Sequence, residues 1–291
     1  MIDRLSQTVV MVRLNIDKAD TKPFSKQYHV GGIPTVIVFN AQGQEVDRII
    51  GYDDDRSAWL KTLLGYLYGI DTIEDMQHRY AAKPDVVMAH DLAQKYLDRG
   101  DGPSTLLWVE KARSLKPDAG TANKLTLIQG QGLLLTDPPK GAEALMGLAT
   151  APDNALGVEA FQALSAFYKR QARNATSPQE KQQANEARLD VFHKVMAARP
   201  SDPDVLTEYA WTCAGEGIEL DKALAAAQKA AELKKDDADT LAVLAEVYYK
   251  SGNKPAALET VDRALKLAPD ETFIKTLKDK YSSKDEAKPK P

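Results

Sequence analysis

Residues 238–271 read ADTLAVLAEVYYKSGNKPAALETVDRALKLAPDE. Leu241, Leu244, Ala245 and Tyr248 recur at helical spacing and fall on one face of a first helix. Gly252 stands where that helix must turn. Ala257, Val261, Ala264 and Leu267 give a second helix its facing stripe, and Pro269 ends it. The short side chains matter, because two helices lie close only where nothing bulky stands between them. The unit is 34 residues long.

The same grammar recurs upstream. Leu206, Tyr209, Ala210 and Cys213 form a first stripe, and Ala223, Ala227, Ala230 and Leu233 form a second, with one extra residue in the turn. An earlier copy has Ala89, Leu92, Ala93, Tyr96, Gly100, Val109, Ala112, Leu115 and Pro117. Residues 120–200 read as helical but degenerate, broken at Thr136–Pro139, Ala151–Asp153 and Asn174–Pro178. The period and the helix-turn-helix pattern resemble tetratricopeptide (TPR) repeats. The expectation is an all-α TPR solenoid of about five helix pairs over residues 74–278, because each pair leaves an apolar face that only a neighbour covers. That resemblance implies a groove for a protein or peptide client. It places Asp239, Ala242, Glu246 and Tyr249 along the groove, with Thr207 and Trp211 one repeat earlier and His90 and Gln94 further back. Some repeat proteins clamp acidic C-terminal tails with Lys and Asn where Ala242, Glu246, Thr207 and Trp211 stand. Their absence here argues against such a tail as ligand.

Residues 1–70 have a different texture. Thr8–Asp17 is β-branched and mostly apolar and predicts a strand buried on both faces. A short helix follows from Pro23 to Tyr28, and Gly31-Gly32 breaks the chain. Thr35–Asn40 predicts a strand, Asn40-Ala41-Gln42-Gly43 a hairpin turn, and Gln44–Ile50 its partner. Asp53-Asp54-Asp55 then leads into a helix carrying Trp59, Leu60, Leu63, Leu64 and Leu67.

Tyr28-His29-Val30-Gly31-Gly32-Ile33-Pro34-Thr35, an apolar strand, N-x-x-G and Gly51-Tyr52 together resemble the C-terminal half of the thioredoxin fold. The resemblance implies an α/β partial thioredoxin-like domain over residues 1–70. It implies a cis-proline at Pro34, so that Ile33, Pro34 and Thr35 would form a loop offering backbone groups to an extended substrate. The family's first strand, first helix, central strand and CxxC helix have no counterpart. A half sheet of this kind would expose an apolar edge. The expectation is therefore a fragment, a misplaced translation start, or a half-domain completed by a partner or by the repeats, with Met1 an internal methionine of a longer chain.

Composition narrows the function classes. The 291 residues give a prior near two domains at about 150 residues each. Lys and Arg total 38 against 42 Asp and Glu, a net charge of -4, which argues against a nucleic-acid binder. No apolar run is long enough to cross a bilayer, so no membrane insertion is expected. Met1–Gln7 lacks the blocks of a signal peptide, which reads as cytoplasmic. A periplasmic location follows instead if an export signal precedes Met1. One cysteine, Cys213, excludes an intrachain disulfide and a CxxC pair, and its place on an apolar stripe reads as core. His29, His78, His90 and His193 show no ligand spacing, so no metal or other cofactor is expected. Asp53–Asp55 reads as a helix cap rather than a calcium loop. Gly130-Gln131-Gly132 lacks a preceding strand and a third glycine, and Asn174-Ala175-Thr176 is a glycosylation pattern common by chance. No acid/base pair or phosphate loop supports a small-molecule enzyme, and no catalytic residue is named. Residues 279–291 read as a disordered tail, its lysines (Lys284, Lys288, Lys290) solubilising.

Two functional expectations result. One is a redox-linked folding factor whose repeats recruit clients, inactive in dithiol exchange without a CxxC. The other is a non-enzymatic TPR adaptor. The oligomeric state is not legible.

Overall fold

Acidic and small polar residues start most of the helices. In the computed structural model, which describes residues 9–16, 18–51, 55–152 and 154–283, Asp85 accepts from the Met88 amide at 2.9 Å. Asp101 accepts from Ser104 at 3.0 Å, Asp118 from Thr121 at 2.7 Å and Asp237 from Thr240 at 2.7 Å. These contacts satisfy amides that a helix cannot bond within itself. Asp55, the described member of the Asp53–Asp55 run, caps in the same way, accepting from Ser57 and Ala58. Asp53 and Asp54 lie outside the described residues.

Fourteen helices and one two-stranded sheet follow among the described residues. Helix α1 is Lys22–Gln27, strands β1 and β2 are Thr35–Phe39 and Glu45–Ile50, and α2 is Arg56–Leu67. Then come α3 (Ile73–Ala82), α4 (Val86–Asp98), α5 (Gly102–Ser114), α6 (Ala119–Thr136) and α7 (Pro138–Thr150). The remainder are α8 (Gly157–Asn174), α9 (Pro178–Ala198), α10 (Pro203–Glu216), α11 (Leu220–Leu233), α12 (Ala238–Lys250), α13 (Lys254–Leu267) and α14 (Thr272–Ser282). The chain divides into two compact units, residues 1–141 and 142–291, the division falling within α7.

In the first unit, α4 and α5 form a helix hairpin. Ala89, Leu92, Ala93 and Ala112 are fully buried, and Trp108 meets Tyr80 of α3 edge-on at 5.0 Å. Gly100 makes the turn at φ +73°, a conformation that costs a side-chain-bearing residue. In the second unit, α8–α9, α10–α11 and α12–α13 form three more hairpins. Gly217 and Gly252 turn the last two with the same positive φ as Gly100. Ala210, Ala223, Ala227 and Ala230 are buried completely in one, and Ala242, Ala245, Ala257 and Ala264 in the other. The α8–α9 pair departs from this pattern. Its helices are 18 and 21 residues long, and Phe161 meets Phe192 at 5.0 Å.

The β1–β2 hairpin forms as expected, antiparallel, with Thr35 opposite Ile50. Asn40 Oδ1 accepts from the Gln42 and Gln44 amides, and Gly43 takes φ +76°. Phe24 and Tyr28 of the α1 region pack on Phe39 at 6.3 and 5.1 Å.

Three findings bear on these expectations, and the first corrects one. First, the strand over Thr8–Asp17 is absent from its described part. Residues 9–16 pair with no strand, and Val10 is 93% exposed. A β-branched run becomes a strand only with a partner, and the sheet among the described residues has two strands alone. A thioredoxin-like domain is therefore not shown. Second, the hairpin is hydrogen-bonded to the helices that follow residue 70. Asp47 of β2, 1% exposed, accepts from the Ile73 amide at 3.1 Å and from Lys95 Nζ of α4 at 2.8 Å. Lys95 also donates to the Tyr66 hydroxyl at 2.7 Å. Buried Arg48 holds Glu45 through two 2.7 Å bonds and donates to the carbonyls of Tyr28 and Asp98. Arg99 Nη2 reaches the Val46 carbonyl at 2.8 Å. The hairpin is thus bonded onto the first repeat. Third, residues 279–282, expected in the tail, are helical. Helix α14 runs to Ser282 with Tyr281 wholly buried. Residues 284–291 lie outside the described residues.

Asp47→Ala should remove about 3–5 kcal/mol of stability, because it strands Lys95 beside a buried site. Urea unfolding of the full chain measures this, and amide exchange across Thr35–Ile50 should rise with it. A loss below about 1 kcal/mol, the range of exposed pairs, would contradict the docking described.

Candidate functional site

The predicted groove residues lie on first helices of successive hairpins. On α10, Thr207 and Trp211 stand one turn apart, and α12 contributes Asp239. With Glu208, Val243 and Phe273 these three line a cavity of about 230 Å3. Trp211 is 37% exposed and meets Phe273 edge-on, ring centroids 5.6 Å apart. The Thr207 hydroxyl donates to the Pro203 carbonyl at 2.7 Å, which leaves its oxygen free to accept. Burial raises the Glu208 carboxyl above its ordinary range, opposed in smaller part by Arg188, Gln162 and Lys169.

Ala242, Glu246 and Tyr249 are placed differently. Ala242 is fully buried. Glu246, 4% exposed, accepts from Lys280 Nζ at 2.7 and 2.8 Å and from the Tyr281 hydroxyl at 2.7 Å. Tyr249 stacks on Tyr281 with centroids 4.7 Å apart. Helix α14 therefore engages this part of α12 from within the chain, and both Glu246 oxygens accept from it. Burial and the adjacent Glu246 carboxylate together push the Tyr281 phenol upward. His90 and Gln94 lie on α4 in the first unit. His90 Nδ1 contacts Asp91 at 2.9 Å, and Gln94 donates to Asp98 at 2.7 Å. They are not among the residues lining the α10–α12–α14 cavity.

Glu208, Val243, Phe273, Lys280 and Tyr281 were not anticipated. A signal existed for two of them. Phe273 and Lys280 lie one 34-residue period beyond Asp239 and Glu246, so α14 stands as the first helix of a further repeat.

The Pro34 loop lies at the open end of the hairpin. The Ile33–Pro34 peptide bond is cis and Ile33 is 72% exposed. The Pro34 carbonyl accepts from the Gly51 amide at 2.8 Å, and the Thr35 hydroxyl donates to the Gly32 carbonyl at 2.6 Å. Each of these groups makes one bond within the hairpin region.

Other candidates resolve into structure. Cys213 is wholly buried, and burial pushes its thiol up to about 11, so it holds no thiolate at neutral pH. Glu219 takes bonds from Lys222, Tyr209 and His193, which outweigh burial and hold its carboxyl down at about 2. Thr176 of the glycosylation pattern donates through its amide and hydroxyl to Glu180 at the start of α9. Arg170, Gln171, Asn174 and Glu180 border a second concavity of about 450 Å3 that has no aromatic wall. Among the described residues no group of three metal-ligating side chains converges, and no helix is long and apolar enough to cross a membrane.

Comparison with known proteins agrees with the helix-pair geometry. Residues 219–281 match the tetratricopeptide repeat family. The chain is 26% identical over 187 residues to human protein O-mannosyl-transferase TMTC1, covering 63% of this chain and 20% of that protein. It therefore spans about a fifth of that relative's length. Among solved structures, a thermophilic TPR protein of Thermus thermophilus is 22% identical with TM-score 0.46, covering 68% of this chain and 98% of that one. YrrB, a TPR protein with an unusual peptide-binding site, is 16% identical with TM-score 0.39, covering 71% and 99%. The chain carries tetratricopeptide repeats.

Glu246→Ala should cost about 1–3 kcal/mol by stranding the buried Tyr281 hydroxyl, and Tyr281→Phe about 1.5–3 kcal/mol by removing a bond to a charged acceptor. Chemical unfolding of each variant checks this, with amide exchange locating the loss in α14. Wild-type stability in both would contradict the assigned contact.

Proposed function

We propose that the chain is a non-enzymatic adaptor whose repeats bind extended segments of partner proteins. The supporting observation is the cavity on α10, α12 and α14, where Trp211 and Phe273 stand partly exposed side by side. Exposed aromatic rings in a cleft are the usual anchors of protein recognition, because they bury much apolar area at little entropic cost. Consecutive first helices are also the elements that the repeat resemblance assigns to a groove.

A second reading keeps the thioredoxin resemblance. The hairpin and the following helix stand in the order it implies. In this reading the hairpin belongs to a redox-linked folding factor and the repeats bring its clients. Dithiol exchange needs a thiolate and a resolving thiol. The sequence holds Cys213 alone, so this chain by itself should catalyse no disulfide reduction.

Binding of the full chain to an array of extended peptides tests the adaptor reading. Trp211→Ala should weaken the peptides it retains by about tenfold or more, the loss typical of an anchor residue. Leu233→Ala, exposed outside the cavity, should leave them bound. Failure to bind any peptide, or binding indifferent to Trp211, would overturn the reading. Turnover in a disulfide-reduction assay would restore a catalytic role.

A further inference from the structure

We infer that the cavity on α10, α12 and α14 receives a cationic side chain, lysine or arginine, from the bound segment; this rests on the adaptor reading above. Its walls combine two kinds of group. Trp211, Phe273 and Val243 supply apolar and aromatic surface. Glu208 and Asp239 supply negative charge, and no basic residue lines the cavity. Neither carboxylate takes part in an ion pair among the described residues. Gln162 hydrogen-bonds Glu208, and Arg188 and Lys169 act on it through space without an ion pair to it. Arg188 is bonded to Ser165 and Glu216, Lys234 to Asp204, Lys278 to Asp262 and Lys280 to Glu246.

Charge decides among occupants. An acidic segment would meet two carboxylates and no cation in the cavity wall. A wholly apolar side chain would bury Glu208 further without a cationic partner, and burial already disfavours its charge. A lysine or arginine avoids both costs. Its aliphatic stem lies along Val243 and the rings, and its charged head meets the carboxylates and the Thr207 oxygen. The exposed π faces add attraction for a cation. Neutral amide donors would satisfy the carboxylates without the charge term, so the preference should fade in high salt.

The test uses the full chain and four peptides with Ala-Ser flanks and a central lysine, arginine, norleucine or glutamate, followed by fluorescence anisotropy. Lysine and arginine should bind about tenfold more tightly than norleucine, and glutamate more weakly than norleucine. Asp239→Asn and Glu208→Gln should each pull the lysine peptide toward the norleucine value. Asp239 is exposed on α12, so that variant keeps the test valid if Glu208→Gln disturbs packing. Equal binding of lysine and norleucine overturns this inference while the adaptor reading stands. Tighter binding of glutamate overturns it likewise. Absence of binding by all four peptides, alongside an empty array, overturns both.

Discussion

Complete burial of alanine at the helix crossings is the constraint on which the repeats depend. Helix axes pack at about 8–10 Å depending on the side chains between them. Ala93 and Ala112, Ala210 and Ala227, and Ala242 and Ala257 stand on the two helices of their hairpins and have no exposure. Each hairpin is then thin, and one apolar face remains for the next hairpin to cover. The α8–α9 pair adds an aromatic contact, Phe161 on Phe192, between longer helices. The repeat is thus a spacing rule first and a sequence motif second.

Two buried carboxylates attach further elements to this frame. Asp47 joins the hairpin to α4 and to the start of α3. Glu246 joins α14 to α12. Both gather several donors at nearly dry positions, where an unpaired charge would be costly and a paired one sets register. Glu246 also shapes the candidate site by default. Its pairing with Lys280 takes one predicted groove position out of use, while Glu208 and Asp239 stand beside Trp211 with no ion pair among the described residues. The proposed binding site lies where the internal pairing stops.

Legibility in the sequence followed the range of the interaction. The α12–α13 hairpin was readable because its stripes, Gly252 and Pro269 all act within 34 residues. The β1–β2 turn was readable for the same reason, with Asn40 and Gly43 acting locally. The Val9–Ile16 run misled, since composition reports strand propensity and not the presence of a partner. Asp47 and Lys95 are 48 positions apart, and nothing local announces their bond. In the candidate site, Thr207, Trp211 and Asp239 came from what the repeat resemblance implies. Glu208 and Val243 were missed because they neighbour groove positions rather than occupy them. Glu246 held a groove position, but its availability was set by Lys280 and Tyr281, two helices later in the chain.

The most direct measurement exploits the three tryptophans, Trp59, Trp108 and Trp211. Each indole N–H gives one resolvable proton–nitrogen NMR signal, and a Trp211→Phe sample assigns the third. Titration of the full chain with the lysine-centred peptide should move the Trp211 indole signal and leave those of Trp59 and Trp108 in place. Movement of Trp59 or Trp108 with Trp211 unchanged would contradict the account and put binding elsewhere on the chain.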